Sequence, residues 1–260
     1  MRGPAPLATE KLQKVLAAAG LGSRREMETW ITEGRVRVNK DTATLGDRVS
    51  VEDRIFVDGR PISRKTERHR VILYNKPTGQ ICSRRDPEKR PTVFDKLPKL
   101  KKQRWICIGR LDINTSGLLL FTTDGELANR LMHPSFQVER EYVVRVLGEV
   151  TDEKLQAMRD GVMLEDGMAR FTDIQKGQDE EDSANQWYYV VLMEGRNREV
   201  RRLWESQGLK VSRLKRVRFG NLFIPSAVKA GRYIDLKQKE MRELYQMVGL
   251  TPPAATNRSR

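Results

Sequence analysis

The chain carries only two cysteines and two histidines in 260 residues. Cys82 and Cys107 are too few and too far apart for a zinc site, and two thiols make no disulfide framework. His69 and His133 complete no metal constellation, so no metal is expected. Long apolar runs are also missing. None approaches the roughly 20 residues that a membrane-spanning helix needs. The first residues, Met1-Arg2-Gly3-Pro4-Ala5-Pro6, contain no apolar signal core. The expectation is a cytoplasmic protein with no membrane attachment. With 38% hydrophobic and 7% aromatic residues, the composition fits a globular chain of one large or two ordinary domains.

Acidic side chains are in short supply: 35 Asp and Glu stand against 49 Lys and Arg, for a net charge of +14. A field of that size favours polyanions. The excess is concentrated. Residues 71–110 hold 11 Lys/Arg against 3 Asp/Glu, and residues 196–218 hold 9 against 2. Apolar residues interleave both clusters, which places them on folded elements rather than on a tail.

The first segment reads as two helices followed by short strands. Residues 10–19 place Leu12, Val15, Leu16 and Ala19 at helical spacing, closed by Gly20. Ser23 and Glu26 form a capping-box pattern opening a second helix, which runs to Glu33 with Gly34 as a left-handed stop. Residues 36–38 and 54–57 read as strands. Residues 64–70 are polar and charged and read as a linker. From Val71 the texture changes. Strands are expected at 71–74, 105–108, 117–121, 142–147, 187–193, 211–219 and 233–236. Helices are expected at 125–132, 151–160, 197–207 and 238–248. Strands and helices without regular alternation indicate an α+β domain with a mixed or antiparallel sheet. Residues 251–260 are expected to be a disordered tail.

One string stands out: Gly109-Arg110-Leu111-Asp112-Ile113-Asn114-Thr115-Ser116-Gly117-Leu118-Leu119-Leu120. Asp112 sits on a tight connection between two apolar strands, which holds an acid rigidly at the edge of a fold. By itself, Asp before Asn-Thr-Ser-Gly is good turn chemistry. The whole string, however, resembles the active-site motif of pseudouridine synthases of the RsuA/RluB type. Lys76-Pro77-x-Gly79, Tyr142 within Arg140-Glu141-Tyr142-Val143-Val144, and Arg196-Asn197-Arg198-Glu199-Val200-Arg201-Arg202-Leu203-Trp204 resemble further motifs of that family. Residues 9–63 resemble the S4 RNA-binding module. The resemblance runs from about Glu10 to Leu236. It departs at the C-terminus, where many members carry a long basic tail.

The resemblance implies a fold, a reaction and roles. The fold would be a small S4-like domain (9–63), a linker (64–70) and a synthase domain (71–250) with a mixed, mainly antiparallel sheet. The reaction would turn uridine into pseudouridine on a flipped-out base, without a cofactor. Asp112 would be the catalytic carboxylate, attacking C1′ or C6 or assisting a glycal-like route. Arg201 would be the cation that keeps it charged. Tyr142 would stack on the base, although a core tyrosine is an equal reading of the residues alone. Lys76 would shape the pocket, Leu203 would pack under the base, and Arg110 would help expel the target nucleotide. In the S4 module, Lys11, Lys14, Arg24, Arg25 and Arg35 gather around helix ends, where cations and backbone amides together meet phosphates. Arg198 and Arg202 would extend the RNA-binding surface, with a solvated helix face as the alternative for Arg198. Residues 86–95, 127–135 and 185–188 resemble most the branch acting on bacterial 23S ribosomal RNA, free or in a precursor particle, as a monomer. A synthase for 16S rRNA or a neighbouring 23S uridine, and a non-catalytic RNA-binding or assembly protein, are the competing readings.

Overall fold

The capping box at Ser23 forms as its residue pattern requires. In a computed structural model, which describes residues 9–63, 68–101, 103–178 and 185–253, Glu26 N donates to Ser23 Oγ (3.1 Å) and Ser23 N donates to Glu26 Oε2 (3.2 Å). The expected linker positions 64–67 and tail positions 254–260 lie outside the described residues. The backbone divides into two compact units. One holds the chain up to His69 together with Lys99–Trp105, the other Arg70–Pro98 and the chain from Ile106 onward.

In the first unit, strand β1 (Glu10–Lys11) leads into helix α1 (Leu12–Ala18), and the capped helix α2 (Arg24–Thr32) follows. Gly34, at φ +71°, ends α2 by leaving the right-handed region. Strands β2 (Val36–Val38), β3 (Asp41–Thr42), β4 (Arg48–Val49), β5 (Ile55–Val57) and β6 (Arg60–Pro61) complete the unit. β4 pairs with β1, and the rest form a sheet of order β3-β2-β5-β6. Leu12 and Leu16, one turn apart on α1, pack with Met27 and Ile31 of α2 and with Val36 and Ile55 to make its core.

The second unit is built on one long sheet. Its elements are β7 (Val71–Lys76), β8 (Ile106–Ile108), β9 (Ser116–Thr122), α3 (Gly125–Met132), β10 (Arg140–Leu147), α4 (Asp152–Asp160), β11 (Val162–Leu164), β12 (Gly167–Ala169), β13 (Asp173–Lys176), β14 (Asn185–Leu192), α5 (Glu199–Ser206), β15 (Lys210–Phe219), β16 (Leu222–Phe223), β17 (Tyr233–Asp235) and α6 (Gln238–Met247). The main path runs β13-β14-β10-β15-β9-β7-β17, with β8 on β9 and β16 on β15. Every pairing in it is antiparallel except β9–β15. The architecture is therefore α+β with a mixed, mainly antiparallel sheet. The hairpin β11–β12 and the strand β13 were not expected from the sequence.

Strand β9 is the centre. From Gly117 to Thr122 all its side chains are buried, because both faces of the sheet are covered. Leu118 and Leu120 face a cluster with Leu127 and Leu131 of α3 and Leu244 of α6. On β9's other face, Phe121 meets Tyr74 and Phe94 edge to face. Asp124 caps α3 and also accepts from Tyr245 Oη (2.8 Å), which ties α6 to the same corner.

The parallel contact β9–β15 spans only two residue pairs, Ser116 with Lys215 and Gly117 with Arg216. Gly117 is at φ +106°, and a Cβ there would collide with the Arg216 carbonyl oxygen. Glycine at this place lets two backbones touch where the sheet begins to split.

Candidate active site

The connection from β8 to β9, residues 109–115, carries Asp112, and nearly every backbone acceptor in it is bonded. Lys76, at the end of β7, is fully buried. Its Nζ donates to Thr115 O (2.8 Å), Asp112 O (3.1 Å) and Pro77 O (3.1 Å). Gly79 N donates to Ile113 O (2.8 Å), and Thr115 N donates to Asp112 O (3.0 Å). Arg201 Nη2 donates to Asn114 O (3.2 Å), and its Nη1 donates to Val211 O on β15 (2.9 Å). On the other side of Asp112, Leu111 N donates to Cys82 Sγ (3.4 Å). The result is a loop pinned by two buried cations through its carbonyls. The Asp112 carboxylate itself is half-buried and takes part in no hydrogen bond or ion pair among the described residues.

Both cations feel that carboxylate through space. Burial pushes the Lys76 ammonium below its usual range, and the charges of Cys82 and Asp112 act against that push. Burial, then the neighbouring Arg198, push the Arg201 guanidinium down, while Asp112 supports its charge. The sequence indicated that Arg201 would face the acid. Its fork goes instead to the backbone on either side, and only its field reaches Asp112.

Asp112 opens into a cleft of about 790 Å³. Tyr142 lines it, 7% exposed, with its hydroxyl in no hydrogen bond to the described residues. Leu192, Val200 and Leu214 supply apolar walls, and the exposed Arg110, Arg85 and Arg198 stand around the same space. Arg140 and Arg216 also line it and are buried. These two were not singled out from the sequence. They lie on β10 and β15 among several alternating cations, and only the strand register shows which of them point inward.

The remaining expected residues divide between the cleft and its surroundings. Leu203 is fully buried and does not line the cleft. It follows Val200 by nearly one helical turn on the apolar face of α5, so Val200 reaches the cleft and Leu203 goes to the core. Lys76 stands behind the loop and shapes the pocket from there, through the loop carbonyls that it holds. Arg202 makes a two-pronged ion pair with Asp166 (2.7 and 2.8 Å), tying α5 to the β11–β12 hairpin. The cause is angular: Arg202 lies about 100° round the helix from Arg201 and meets a different neighbour. Arg198 is the left-handed residue before α5 (φ +51°) and reaches Glu205 at 3.3 Å. In the first unit, Arg35 is held two-pronged by Asp58 (2.9 and 2.7 Å) and stacks on Trp30. Lys14 pairs with Glu10 one turn away (2.9 Å). Lys11, Arg24 and Arg25 are exposed at helix starts, with no ion pair among the described residues.

A carboxylate on a pinned loop, an aromatic wall and several cations surround a space of about 790 Å³, a set that suits a base carried on a polyanion. The chain belongs to the RNA pseudouridylate synthase family, whose sequence pattern matches residues 70–206, with an S4 domain matching residues 10–55. It is 60% identical over 257 residues to the ribosomal large subunit pseudouridine synthase B of Pseudomonas aeruginosa, covering 96% of this chain and 66% of that protein, just under two thirds of its length. It is 56% identical over 252 residues to the protein of the same name from Vibrio cholerae, covering 95% of this chain and 78% of that one. A crystal structure of a pseudouridylate synthase superposes with a TM-score of 0.63 at 25% identity, covering 90% of this chain and 99% of that one.

Proposed function

We propose that this protein isomerises one uridine of 23S ribosomal RNA to pseudouridine, with Asp112 as the reacting carboxylate. The observation that carries the reading is the Asp112 loop: Lys76 and Arg201 bond its carbonyls, and the carboxylate is left facing the cleft beside Tyr142. A target uridine leaves its stack and enters the cleft. Tyr142 lies against the ring, and stacking of that kind contributes roughly 1–3 kcal/mol. Arg110, exposed at the mouth, takes the vacated place in the RNA. The N1–C1′ bond breaks, the ring turns, a C5–C1′ bond forms, and the proton lost from C5 is balanced by one gained at N1. The atoms balance within the nucleotide, so no cofactor enters the scheme. Lys11, Arg24 and Arg25 of the S4 unit add phosphate contacts on the same RNA, which is free rRNA or a precursor particle in the cytoplasm, met by a single copy of the chain. The resemblance of the relatives to this chain supports the large-subunit target.

The test uses Asp112→Asn. Purified protein incubated with large-subunit RNA converts one uridine to a carbodiimide-reactive pseudouridine. The variant binds the RNA with unchanged affinity and forms none. Full activity in the variant would refute the role of Asp112. A strain lacking the gene loses one pseudouridine from 23S rRNA, and a loss from 16S rRNA instead would refute the target.

A further inference from the structure

Arg216 lies on β15 directly across from Tyr142 on β10. Antiparallel partners project to the same face with Cβ atoms about 5 Å apart, and both side chains line the cleft that holds Asp112. Arg216 is 2% exposed. Its Nε donates to Leu118 O (2.7 Å), which anchors the side chain to β9. Its Nη2 is buried with no partner, and its Nη1 makes no hydrogen bond or ion pair with a described residue. Among the described residues no carboxylate forms an ion pair with it. The other buried arginines of the site differ: Arg140 Nη1 donates to Val138 O and Met193 O, and Arg201 Nη1 and Nη2 donate to Val211 O and Asn114 O.

A buried guanidinium with its outer N–H groups unused is costly unless a ligand completes it. Depth selects the ligand. Arg85, Arg110 and Arg198 are exposed and suit phosphates, which stay with the RNA strand at the mouth. Arg216 lies at the floor, where the base arrives.

We propose that Arg216 is a further catalytic residue, whose free N–H groups donate to O4 of the extruded uracil and stabilise the negative charge that this oxygen gains. The inference rests on the reading of the cleft as the uridine site. It holds for each route open to Asp112. Attack at C6 pushes the C5–C6 pair onto O4 as an enolate. Cleavage of N1–C1′ leaves the pair on N1, conjugated to O2 and O4. In both cases C5 bonds C1′, the C5 proton leaves, N1 gains a proton, and any bond from the Asp112 carboxylate breaks: from C1′ as C5 attacks it, or from C6 as the C5 proton leaves and the C5–C6 double bond re-forms. A donor fixed in a site poor in water stabilises such charge without having to reorganise.

The test is a cycle of enzyme and substrate changes under single-turnover conditions. Target RNA carries uridine or 4-thiouridine at the modified position, since sulfur is the poorer acceptor. Wild-type protein and Arg216→Gln are compared, with folding checked by thermal melting. Arg216→Gln turns over the uridine RNA about 10²-fold more slowly, as for loss of one charge-stabilising donor. The thio substitution is about 10²-fold more adverse in wild type than in the variant. Equal thio effects in the two proteins would overturn the inference. Should Arg216→Gln fail to fold through loss of the Leu118 anchor, the cycle is run with Arg216→Lys. Wild type alone gives an independent reading: 4-thiouridine is penalised more than 2-thiouridine, and equal penalties refute the contact. If wild type forms no pseudouridine in the uridine RNA, the uridine-site reading fails and this inference with it. If pseudouridine forms and the thio effects are equal, only the role of Arg216 fails.

Discussion

Replacing Lys76 by methionine separates positioning from RNA binding. Methionine keeps an unbranched side chain of similar length and removes the ammonium. Of the carbonyls that Lys76 reaches, Asp112 O retains Thr115 N and Ile113 O retains Gly79 N. Thr115 O and Pro77 O are left without a donor. An orphaned buried acceptor costs about 1–3 kcal/mol, so the gross loss is about 2–6 kcal/mol. The ammonium is itself desolvated, and its removal returns part of that. A net loss of about 1–4 kcal/mol is expected in urea unfolding. The activity loss is expected to be larger in proportion. Misplacing a reacting group by about 1 Å costs about 10²-fold, and Lys76 holds the backbone on both sides of Asp112. RNA affinity is expected to be unchanged, because Lys76 is fully buried and meets no phosphate.

Lys76 also gives the wild type a pH signature. Its folded pKa lies below the free-lysine value of 10.5, so in the interval between the two the unfolded chain binds more protons. Stability from this group therefore rises with pH across that interval and is level well below it. The methionine variant lacks the rise. Three measurements check the reasoning: urea unfolding against pH, single-turnover pseudouridine formation, and RNA binding by anisotropy. Full activity with full stability would refute the pinning argument. A loss confined to RNA affinity would make Lys76 a phosphate ligand instead.

Two further outcomes follow from local geometry. Gly117→Ala forces a Cβ into the Arg216 carbonyl at a left-handed φ, combining overpacking and backbone strain at about 1–3 kcal/mol each. Its melting midpoint is expected to fall by about 10 °C, whereas Gly109→Ala, with φ +75° and open space around it, falls by less; equal shifts would contradict the close approach. In the S4 unit, Arg24→Ala and Arg25→Ala are each expected to lower the salt slope of RNA binding by about 1, while Arg35→Ala leaves it unchanged because Asp58 occupies that guanidinium; a loss of slope in the Arg35 variant would show that the pair opens onto RNA.

What the sequence revealed depended on how local the cause was. α3 occupies the expected residues 125–132 because its cap, Asp124, and its apolar stripe are adjacent in the chain. β7 and β9 were legible because a strand covered on both faces is a continuous apolar run. The β11–β12 hairpin was not, since Met163 and Met168 are 69% and 55% exposed and mark no core-facing period. β13 buries only Ile174. In the candidate site, the place of Asp112 on the connection between two strands was legible from the sequence, whereas the division of labour among the cations was not. Arg201 and Arg202 are neighbours in sequence, and one enters the sheet while the other leaves for Asp166. Lys215 is exposed and Arg216 is buried, a choice of parity that depends on register shifts at Glu141/Tyr142 and Arg145/Val146 that no residue pattern announces.

The same division of labour bears on the role proposed for Asp112. An acid gripped by a two-pronged arginine, as Asp58 and Asp166 are, has its lone pairs committed and its charge quenched. Lys76 and Arg201 avoid that. They direct their N–H groups to carbonyls of the loop, while Asp112 supports the charge of both. The carboxylate thus gains the field of two cations and loses none of its lone pairs to them. A nucleophile or proton acceptor needs both, and the arrangement of donors around residues 112–115 supplies them from residues as distant in the chain as Lys76 and Arg201.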